Sequence, residues 1–319
     1  MNNPRHYRFA DPAAIPDLAR LVAHSFPGAH RTPEWWTEQL RAPLYGGGAD
    51  TAFVADSAAG PVGVLQLHAL RQWVGGEALA VAGIGTVAIS PTHRRRGIAA
   101  QLVTQALHAA RERGDVASAL YPFRTSFYRD LGFGQAGDVL QYQVPPSELQ
   151  ESAPQDTDER ARVELVEDAA GREAVLELYN RWASTQTGQL VRGPRVWAHL
   201  CTAPGRTLVT CGDGYALVTY RTDLPRERRF LEVDELVWTT PAARRALYGW
   251  LASLGDQWQQ LLLRALPSHR LGDWLSEPRL PRGSAPGWSL WEPAATLLAG
   301  PMFRLIDVQA AWAVRTVVP

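Results

Sequence analysis

The sequence predicts an α/β (α+β) protein of two successive domains, each a mixed, mostly antiparallel sheet with flanking helices. The chain of 319 residues exceeds one typical domain, and 46% of it is apolar, which is enough for two cores. Short apolar runs with period-two spacing alternate with helical patterns, and this order recurs after a polar, proline-containing stretch. We therefore predict a first domain at 1–146, a linker at 147–162, a second domain at 163–300 and a C-terminal tail at 301–319.

The first half opens with a short strand and two helices. Asp11 and Thr32 each precede a proline, which is the pattern of an N-cap followed by Pro at the first helical position. Glycines and prolines mark the turns between the strands that follow, and Gly114 ends a long helix. The predicted elements are a strand at 7–9, helices that run to 25 and start at 33, strands at 51–56, 62–70 and 84–89, a helix at 97–113 and a strand at 116–121.

The second half repeats this order of elements. Residues 145–162 contain prolines and polar residues with hardly an apolar one, which is typical of a domain boundary. Beyond it, helical and period-two patterns return. The predicted elements are a helix at 173–185, strands at 207–210, 215–220 and 230–238, a helix at 244–254 and a strand at 261–265.

Residues 87–102 have the clearest chemical character in the chain. An apolar strand leads into a turn with Pro91, three arginines at 94–96, Gly97 and a helix rich in small residues. The first N–H groups of a helix have no partner inside it, and the helix dipole adds partial positive charge, so a pyrophosphate can bind there. Gly97 lets phosphates approach the backbone closely, and the arginines add permanent charge.

Other interpretations of this stretch fit less well. A nucleotide P-loop needs a Gly-x4-Gly-Lys-Ser/Thr pattern, and the sequence contains no lysine. The glycine pattern of a dinucleotide-binding fold is also missing. An exposed basic turn that opens a surface helix stays open as an alternative for this stretch alone.

Two motifs together carry a family resemblance. The pattern Arg94-x-x-Gly97-x-Ala99, after Val87-x-Ile89, resembles the acetyl-CoA-binding motif of the GNAT superfamily of N-acetyltransferases. Downstream, Phe127-Tyr128-Arg129-Asp130-Leu131-Gly132-Phe133 is similar to that family's Phe-Tyr-x-x-x-Gly-Phe helix-to-strand element. The second motif favours the resemblance over a basic surface turn.

The resemblance implies acetyl-CoA as co-substrate, no metal, and a cleft between strands for the pantetheine arm. It implies that the residues at the cofactor are Val87, Ala88, Ile89, Arg94, Arg95, Arg96, Gly97, Ile98, Ala99, Ala100, Phe123 and Arg124. In this family the segment after the first helix lies over the acceptor channel, which makes Phe26, Trp35 and Trp36 candidate pocket walls. Ordinary packing between the first two helices explains these three aromatic residues equally well.

The resemblance also implies that Tyr128 is the general acid, which protonates the CoA thiolate as it leaves. A free thiol titrates near ~8.5 and a tyrosine near ~10, so complete transfer is uphill by about 2 kcal/mol unless the site lowers the pKa of the phenol. Arg124 or Arg129 could favour the phenolate in this way, or Tyr128 could act mainly by hydrogen-bonding the departing sulfur. The structural alternative is a tyrosine that only packs its helix against the sheet.

The second half lacks the anion-binding loop. Thr239-Thr240-Pro241-Ala242-Ala243-Arg244-Arg245 stands in its place, with no Gly-x-Ala to admit a phosphate. Tandem halves of which only the first binds CoA resemble the Eis (enhanced intracellular survival) type of N-acetyltransferase. Residues 300–311 resemble the beginning of that type's third, sterol-carrier-like domain, and we expect most of that domain to be absent. Because it supplies the proposed general base of the family, that base is not carried over.

The expected function is direct transfer of an acetyl group from CoA to a primary amine of a small molecule or peptide. A non-catalytic acyl-CoA-binding or scaffold protein is the alternative, and the two motifs favour the enzyme. In aminoglycoside-acetylating members an acid stands shortly after the Ser-Phe of the first helix, whereas Pro27-Gly28 follows Ser25-Phe26 here. This departure weakens the assignment of an aminoglycoside as the acceptor.

Composition argues against several other classes. The 32 basic residues, all arginine, balance 32 acidic ones, so no net charge favours nucleic acid or an anionic membrane as a partner. The absence of lysine excludes Schiff-base chemistry, and neither Cys201 and Cys211 nor the histidines have metal-ligand spacing. Residues 1–5 lack an apolar signal core and no run approaches the ~20 apolar residues of a membrane span, so we expect a cytoplasmic protein. The absence of lysine, with abundant Ala, Gly, Pro and Arg, is typical of a GC-rich bacterial genome. Association into a homo-oligomer stays open.

Overall fold

The computed structural model describes residues 6–28, 30–45, 51–149, 162–224, 229–275 and 295–313. Most of the predicted linker at 147–162 lies outside these residues, and so does the end of the predicted C-terminal tail. Within these ranges, none of the helices combines the length and the apolar character that crossing a bilayer requires.

Helices and strands alternate along most of the described chain. The strands are β1 His6–Phe9, β2 Ala52–Ser57, β3 Gly60–Val74, β4 Glu77–Ile89, β5 Ala117–Leu120, β6 Gly134–Gln135, β7 Asp138–Val144, β8 Glu164–Leu165, β9 Arg206–Thr210, β10 Gly214–Tyr220, β11 Leu231–Trp238, β12 Leu261–Ala265, β13 Thr296–Ala299 and β14 Met302–Leu305. The α-helices are α1 Ile15–Ser25, α2 Pro33–Arg41, α3 Ile98–Arg113, α4 Thr125–Arg129, α5 Ala169–Ser184, α6 Pro194–Thr202, α7 Pro241–Ser253 and α8 Val308–Ala313.

The local start and turn signals act as predicted. The Asp11 carboxylate accepts a hydrogen bond from Ala13 N at 2.8 Å, and the Thr32 hydroxyl caps α2. Strands β3 and β4 are longer than predicted because Gly75 and Gly76, both at positive φ, close a two-residue turn. Pairing therefore continues to the very tip of this hairpin, where Val74 lies opposite Glu77.

Contacts divide the chain into two compact units. The first holds residues up to Ala136, Ala183–Val191, and residues from Pro301. Its sheet has the strand order β1-β2-β3-β4-β5-β14-β6, antiparallel except for the parallel pair of β4 and β5 that α3 connects. The segment Ala183–Val191 pairs with β3 near the hairpin tip, where Trp73 N donates to Gln189 O at 2.8 Å.

Helices cover both faces of the first sheet. On one face α3 packs on β3 and β4 through Ile98, Leu102, Val103, Ala106, Leu107 and Ala110. On the other face α1 and α2 pack on the sheet through Leu18, Val22, Trp36 and Leu40. Each fully buried leucine contributes roughly 1.5–3 kcal/mol to folding. The two cores fix the strands that form the site described below.

The second unit holds Gly137–Trp182 and Arg192–Gly300. Its sheet has the order β13-β7-β12-β11-β10-β9-β8, with β11 and β12 as the parallel pair. Helix α7 packs on one face through Leu247 and Leu251, whereas Trp197 of α6 meets Tyr215 edge-on at 5.6 Å between ring centroids on the other. Two α+β units of similar strand order confirm the predicted fold class.

The units differ from the predicted domain boundaries in two places. Residues 137–146 were expected in the first domain, but β7 lies between β13 and β12 in the second sheet. Residues 301–319 were expected as a tail, but β14 lies between β5 and β6 in the first sheet. Strand pairing is the reason, because the short strands β5 and β6 need a partner and Met302 of β14 fills their core with 2% exposure. Local sequence patterns do not identify so distant a partner strand.

We expect Met302→Ala to destabilise the first unit far more than Leu305→Ala in the same strand. Met302 is buried, so its truncation leaves a cavity that costs about 2–5 kcal/mol, whereas Leu305 is 47% exposed and should cost less than about 1 kcal/mol. Chemical denaturation of both variants measures the two differences in the free energy of unfolding. Equal losses would contradict the insertion of β14 into this core.

Candidate functional site

A cleft opens where β4 and β5 separate. Their parallel pairing consists of Val81 with Ala117, Ala82 with Ser118 and Gly83 with Ala119. Strand β5 ends at Leu120, whereas β4 continues to Ile89 beside β3. In the described part of the chain, the backbone groups of residues 84–89 that point away from β3 therefore have no strand partner and are available to a ligand.

A β-bulge interrupts β4 beside this cleft. The register with β3 shifts so that Thr86 and Val87 together lie opposite Leu65. Thr86 has a φ of 50°, a left-handed conformation that costs a β-branched residue on the order of 1–3 kcal/mol. Its hydroxyl donates to Gln66 Oε1 at 2.6 Å, which helps to hold the conformation. Apart from Gly85 just before it, no residue pattern in the sequence signals this bulge.

The loop after β4 is shaped by its own side chains. Residues Pro91–His93 form a turn of 3-10 helix, and Thr92 Oγ1 lies 3.1 Å from Ser90 Oγ and 2.9 Å from His93 Nδ1. Arg95 then adopts a positive φ of 61°. The side chains of residues 94–96 are exposed, and within the described part of the chain they form no ion pair. Their positive charge is therefore free to act on an anion.

Helix α3 begins at this loop without a capping side chain. Gly97 is its N-cap at a φ of 74°, in the left-handed region that favours glycine. A Cβ added to Gly97 would meet nothing within 4 Å, so the space in front of the helix is open. The N–H groups of the first turn therefore face this space without a side-chain acceptor, at the positive end of a 16-residue helix. The arrangement suits an anion.

The predicted cofactor residues of β4 and α3 divide into two groups. Ala88 packs in the core between the sheet and the helices α1 and α2. Ile98, the first residue of α3, packs in the core between α3 and the sheet, and each of the two is 1% exposed. Their burial restricts any ligand contact to the backbone. Ala99 and Ala100 lie partly exposed in the first turn of α3, and Val87 and Ile89 pack partly against the α3 core.

Tyr128 lies in an aromatic pocket next to the sheet. It is 2% exposed, and its ring contacts the rings of Phe123, Phe127 and Phe133 at centroid distances of 5.4, 4.9 and 5.9 Å. Burial raises the pKa of Tyr128 to about 12. The sequence had suggested that a neighbouring arginine lowers this pKa, but burial is its only cause of shift and it raises the pKa. Arg124 Nε instead donates to Ser126 Oγ at 3.1 Å. The phenol is held in its protonated form.

Phe123 and Arg124 lie on the surface just before α4. Phe123 is 67% exposed although its ring lies 5.5 Å from that of Phe127, and Arg124 is the exposed residue at the N-cap of α4. Both follow the end of β5, where the two strands have separated. They are placed to contact a ligand that extends from the cleft to the surface.

The three candidate acceptor residues have different surroundings. Trp36 is buried with 7% exposure and packs against Phe26 and Trp35 at centroid distances of 5.8 and 4.7 Å, as the packing interpretation expected. Trp35 is 37% exposed. Trp36 Nε1 and Ser25 Oγ are buried and have no hydrogen-bond partner in the part of the chain that the structure describes. Unpaired buried polar atoms of this kind are uncommon and call for a partner.

The second unit repeats this strand geometry, but the N-terminus of its following helix is capped. Strand β11 pairs with β12 over three residues, and its register with β10 shifts so that Asp234 is the extra, bulged residue. Here, however, the Thr240 hydroxyl caps the following helix by accepting a hydrogen bond from Ala243 N at 3.2 Å. The Ala243 N–H in the first turn of α7 is therefore bound by the helix's own cap residue.

A partly buried ion pair lies on the α5–α6 face of the second unit. Arg192 Nη1 donates to Glu235 Oε2 at 2.8 Å, Tyr215 Oη donates to the same oxygen at 2.9 Å, and the guanidinium stacks 4.0 Å from the ring of Tyr179. Burial acts to lower the pKa of Arg192, but the hydrogen bonds and charge of Glu235 outweigh it and leave that pKa raised. The pair is neutralised internally.

Comparison with known proteins agrees with this geometry. Residues 6–136 match the family described as Acetyltransferase (GNAT) domain, and residues 188–304 match a second family of the same description. An uncharacterized N-acetyltransferase from Streptomyces avermitilis is 30% identical over 264 residues, which cover 76% of this chain and 60% of that protein. N-acetyltransferase Eis from Mycobacterium tuberculosis H37Ra is 30% identical over 259 residues, which cover 76% of this chain and 63% of that protein.

The fold is also similar to that of solved structures. The crystal structure of Eis1 from Mycobacterium abscessus superposes with a TM-score of 0.75 at 24% identity, over 98% of this chain and 76% of that one. The chain spans less than two thirds of the length of the two curated relatives above. With two matched domains and these relatives, the chain belongs to the acetyltransferase (GNAT) family, as a tandem-domain member of the Eis-like type.

Proposed function

We propose that the chain is an acetyl-CoA-dependent N-acetyltransferase that transfers an acetyl group to a primary amine of a small molecule or peptide. The observation that carries this proposal is the uncapped start of α3 beside the open strand edge of β4. A helix terminus without a cap binds anions, and an open strand edge binds an extended amide chain. These are the two parts of CoA that a protein must hold.

The residues present fit this co-substrate. The N–H groups after Gly97 and the exposed arginines at 94–96 suit the pyrophosphate, and the free backbone edge of 84–89 suits the amides of the pantetheine arm. Acetyl-CoA supplies an acyl group activated as a thioester. The N–H groups at the bulge of residues 86–87 are candidates to polarise its carbonyl oxygen, because they leave the regular ladder next to the cleft.

Tyr128 is the proposed general acid, and its burial determines how it works. With its pKa raised to about 12 and that of a free thiol near ~8.5, complete proton transfer from Tyr128 to the released thiolate is uphill by about 5 kcal/mol. Tyr128 therefore acts first as a hydrogen-bond donor to the departing sulfur, and the proton moves as negative charge develops there. The raised pKa keeps the donor form present throughout the neutral and moderately alkaline range.

The acceptor amine is proposed to enter along α1 and α2. Trp35 is exposed there and packs against Trp36, whose Nε1 is buried and unpaired among the described residues, as is Ser25 Oγ. Pro27-Gly28 offers no carboxylate to pair with a polycationic acceptor. Release of CoA from acetyl-CoA in the presence of a panel of primary amines tests the proposed activity, and acetyl-CoA binding without turnover on any amine would favour a non-catalytic binding protein.

We expect Gly97→Asp to abolish acetyl-CoA binding while the fold is retained. Aspartate tolerates a positive φ and its Cβ meets nothing within 4 Å, but its carboxylate would occupy the anion site with the wrong charge. Isothermal titration calorimetry measures the affinity. Gly76→Asp is the matched control, because Gly76 has a φ of 88° and equally open surroundings. It lies at the opposite end of β4 from the loop of Gly97. Wild-type affinity in Gly97→Asp would contradict the assignment of this loop.

We expect a stoichiometry of one CoA per chain. The first turn of α7 is capped by Thr240, and the α5–α6 face of the second sheet carries an internally neutralised ion pair, so the described residues of the second unit offer no equivalent anion site. Equilibrium titration with acetyl-CoA at known protein concentration measures the stoichiometry. Two equivalent sites per chain would be incompatible with this assignment.

We expect Tyr128→Phe to lower kcat by ~10²- to 10⁴-fold, the usual contribution of a positioned general acid, with little change in acetyl-CoA affinity or Tm. The substitution keeps the ring in its aromatic pocket and deletes only the hydroxyl. Because the pKa of Tyr128 is raised to about 12, wild-type activity should not decline near pH 10 through loss of this proton.

Tyr7→Phe serves as the matched control for this hydroxyl. Tyr7 lies in the edge strand β1, where its Oη donates to Gln101 Oε1 at 2.7 Å, so loss of this hydroxyl should leave kcat unchanged. Measurement of kcat and Tm on the same preparations separates chemistry from packing. An unchanged kcat in Tyr128→Phe would remove Tyr128 from the mechanism, and a lower Tm with normal activity would assign it a packing role.

A further inference from the structure

His68 in β3 has one bound and one free ring nitrogen. Its Nδ1 lies 2.7 Å from the carbonyl oxygen of Tyr45, and because a carbonyl can only accept, Nδ1 must carry the proton and donate it. Nε2 is then the nitrogen with the lone pair. Within the described part of the chain, no donor lies within hydrogen-bond distance of Nε2. The hydrogen bond to Tyr45 thus fixes a tautomer that can accept a proton at Nε2.

Nε2 of His68 lies next to the bulged part of β4. A Cβ built on Gly85 would stand 3.2 Å from Nε2, so the ring occupies the space that the missing side chain of Gly85 leaves. Gly85 directly precedes Thr86 of the bulge, and the residue paired with His68 is Gly83, the last of β4 to pair with β5. The free nitrogen is therefore located where β4 and β5 begin to separate.

His68 and Tyr128 lie on opposite faces of the first sheet. Leu65 and Leu67 of β3 pack in the same core as α3 and Tyr128. Side chains alternate along a strand, so Gln66 and His68 face the other side, where Gln66 Nε2 donates to Gln39 O of α2. The β4–β5 pairing ends at Gly83, the partner of His68, and at Ala119, shortly before the helix that carries Tyr128. A donor on one face and an acceptor on the other thus flank the same opening.

We propose that His68 Nε2 is the general base of the transfer, a role that rests on the proposed acetyltransferase function. As the nitrogen lone pair of the acceptor forms the new C–N bond, the N–H bond that must break gives its proton to Nε2. The C–S bond breaks with its electron pair on sulfur, which takes the phenolic proton of Tyr128. The resulting imidazolium and phenolate return to their neutral forms by proton exchange through water, so no co-reactant is required.

The charges around His68 keep this base in its neutral form. Burial lowers the pKa of His68, the hydrogen bond to Tyr45 O opposes this effect, and the nearby positive charge of Arg113 lowers the pKa further. The guanidinium of Arg113 donates to the backbone oxygens of residues 67 and 68 and is paired with the Asp115 carboxylate. The imidazole is therefore neutral at pH 7, and its Nε2 lone pair stays available down to a pH below 6.5.

The central test is His68→Asn. The Asn amide can donate to Tyr45 O as Nδ1 does, but it carries no base at the position of Nε2. We expect kcat/KM for an amine acceptor to fall by ~10²- to 10⁴-fold, with acetyl-CoA affinity and Tm unchanged. His108→Asn, at an exposed position of α3, is the matched control and should retain wild-type kcat/KM.

Two further measurements exclude a merely structural role. With an arylamine acceptor that stays neutral in this range, wild-type kcat/KM should fall as the pH drops through the lowered pKa of His68, and this limb should vanish in His68→Asn. In His68→Ala, added imidazole should restore part of the rate in proportion to its neutral fraction, because it can occupy the vacated space as a free base.

The outcomes separate this inference from the proposed function. Equal kcat/KM in wild type and His68→Asn, or an acid limb that persists in the variant, would overturn the role of His68 and leave the acetyltransferase intact. A loss of activity in His68→Asn that is accompanied by an equal loss of acetyl-CoA affinity would also overturn it. Absence of CoA release by the wild-type protein with every amine tested would overturn the proposed function and the base with it.

Discussion

The parallel pairing of β4 with β5 ends after three residue pairs, and the site of the first unit depends on that break. Buried backbone groups need hydrogen-bond partners, so a strand that leaves its neighbour must find another partner or stay open to a ligand. On the side away from the gap, β5 pairs with β14 and β4 pairs with β3. Because both strands are fixed from outside, the gap between them is stable, and its free backbone edge is part of the proposed binding site.

The two units use one plan and differ in how they satisfy the helix that follows the gap. In the first unit Gly97 begins α3 at a positive φ with no capping side chain, which leaves the first N–H groups for an anion. In the second unit Thr240 caps α7, and the Arg192–Glu235 pair stands on the neighbouring sheet face. Removing one partner of such a pair leaves the other charge uncompensated, which is strongly destabilising. Each of the two residues therefore requires the other.

Burial sets the chemistry of Tyr128 more than its sequence motif does. The aromatic rings around it remove water from the phenol, which disfavours the phenolate and raises the pKa to about 12. Arg124, which could have opposed this effect, donates to Ser126 instead. The same cause acts on His68 in the opposite chemical direction, because loss of water disfavours imidazolium and so preserves the free base. Burial thus keeps one group a donor and the other an acceptor.

The sequence by itself determined what rests on local physics: the capped starts of the first two helices, the turn at Gly75-Gly76, the helix that opens at Gly97 and the motif with Tyr128. It also indicated that the second half lacks a phosphate loop, because a missing glycine is a local fact. Only the tertiary structure decided that β7 lies in the second sheet and β14 in the first, that Ala88 and Ile98 are buried, and that the ring of His68 fills the space beside Gly85. Strand partners, burial and the approach of two side chains arise from contacts between residues far apart in the chain, and the pattern within one segment carries no information about them.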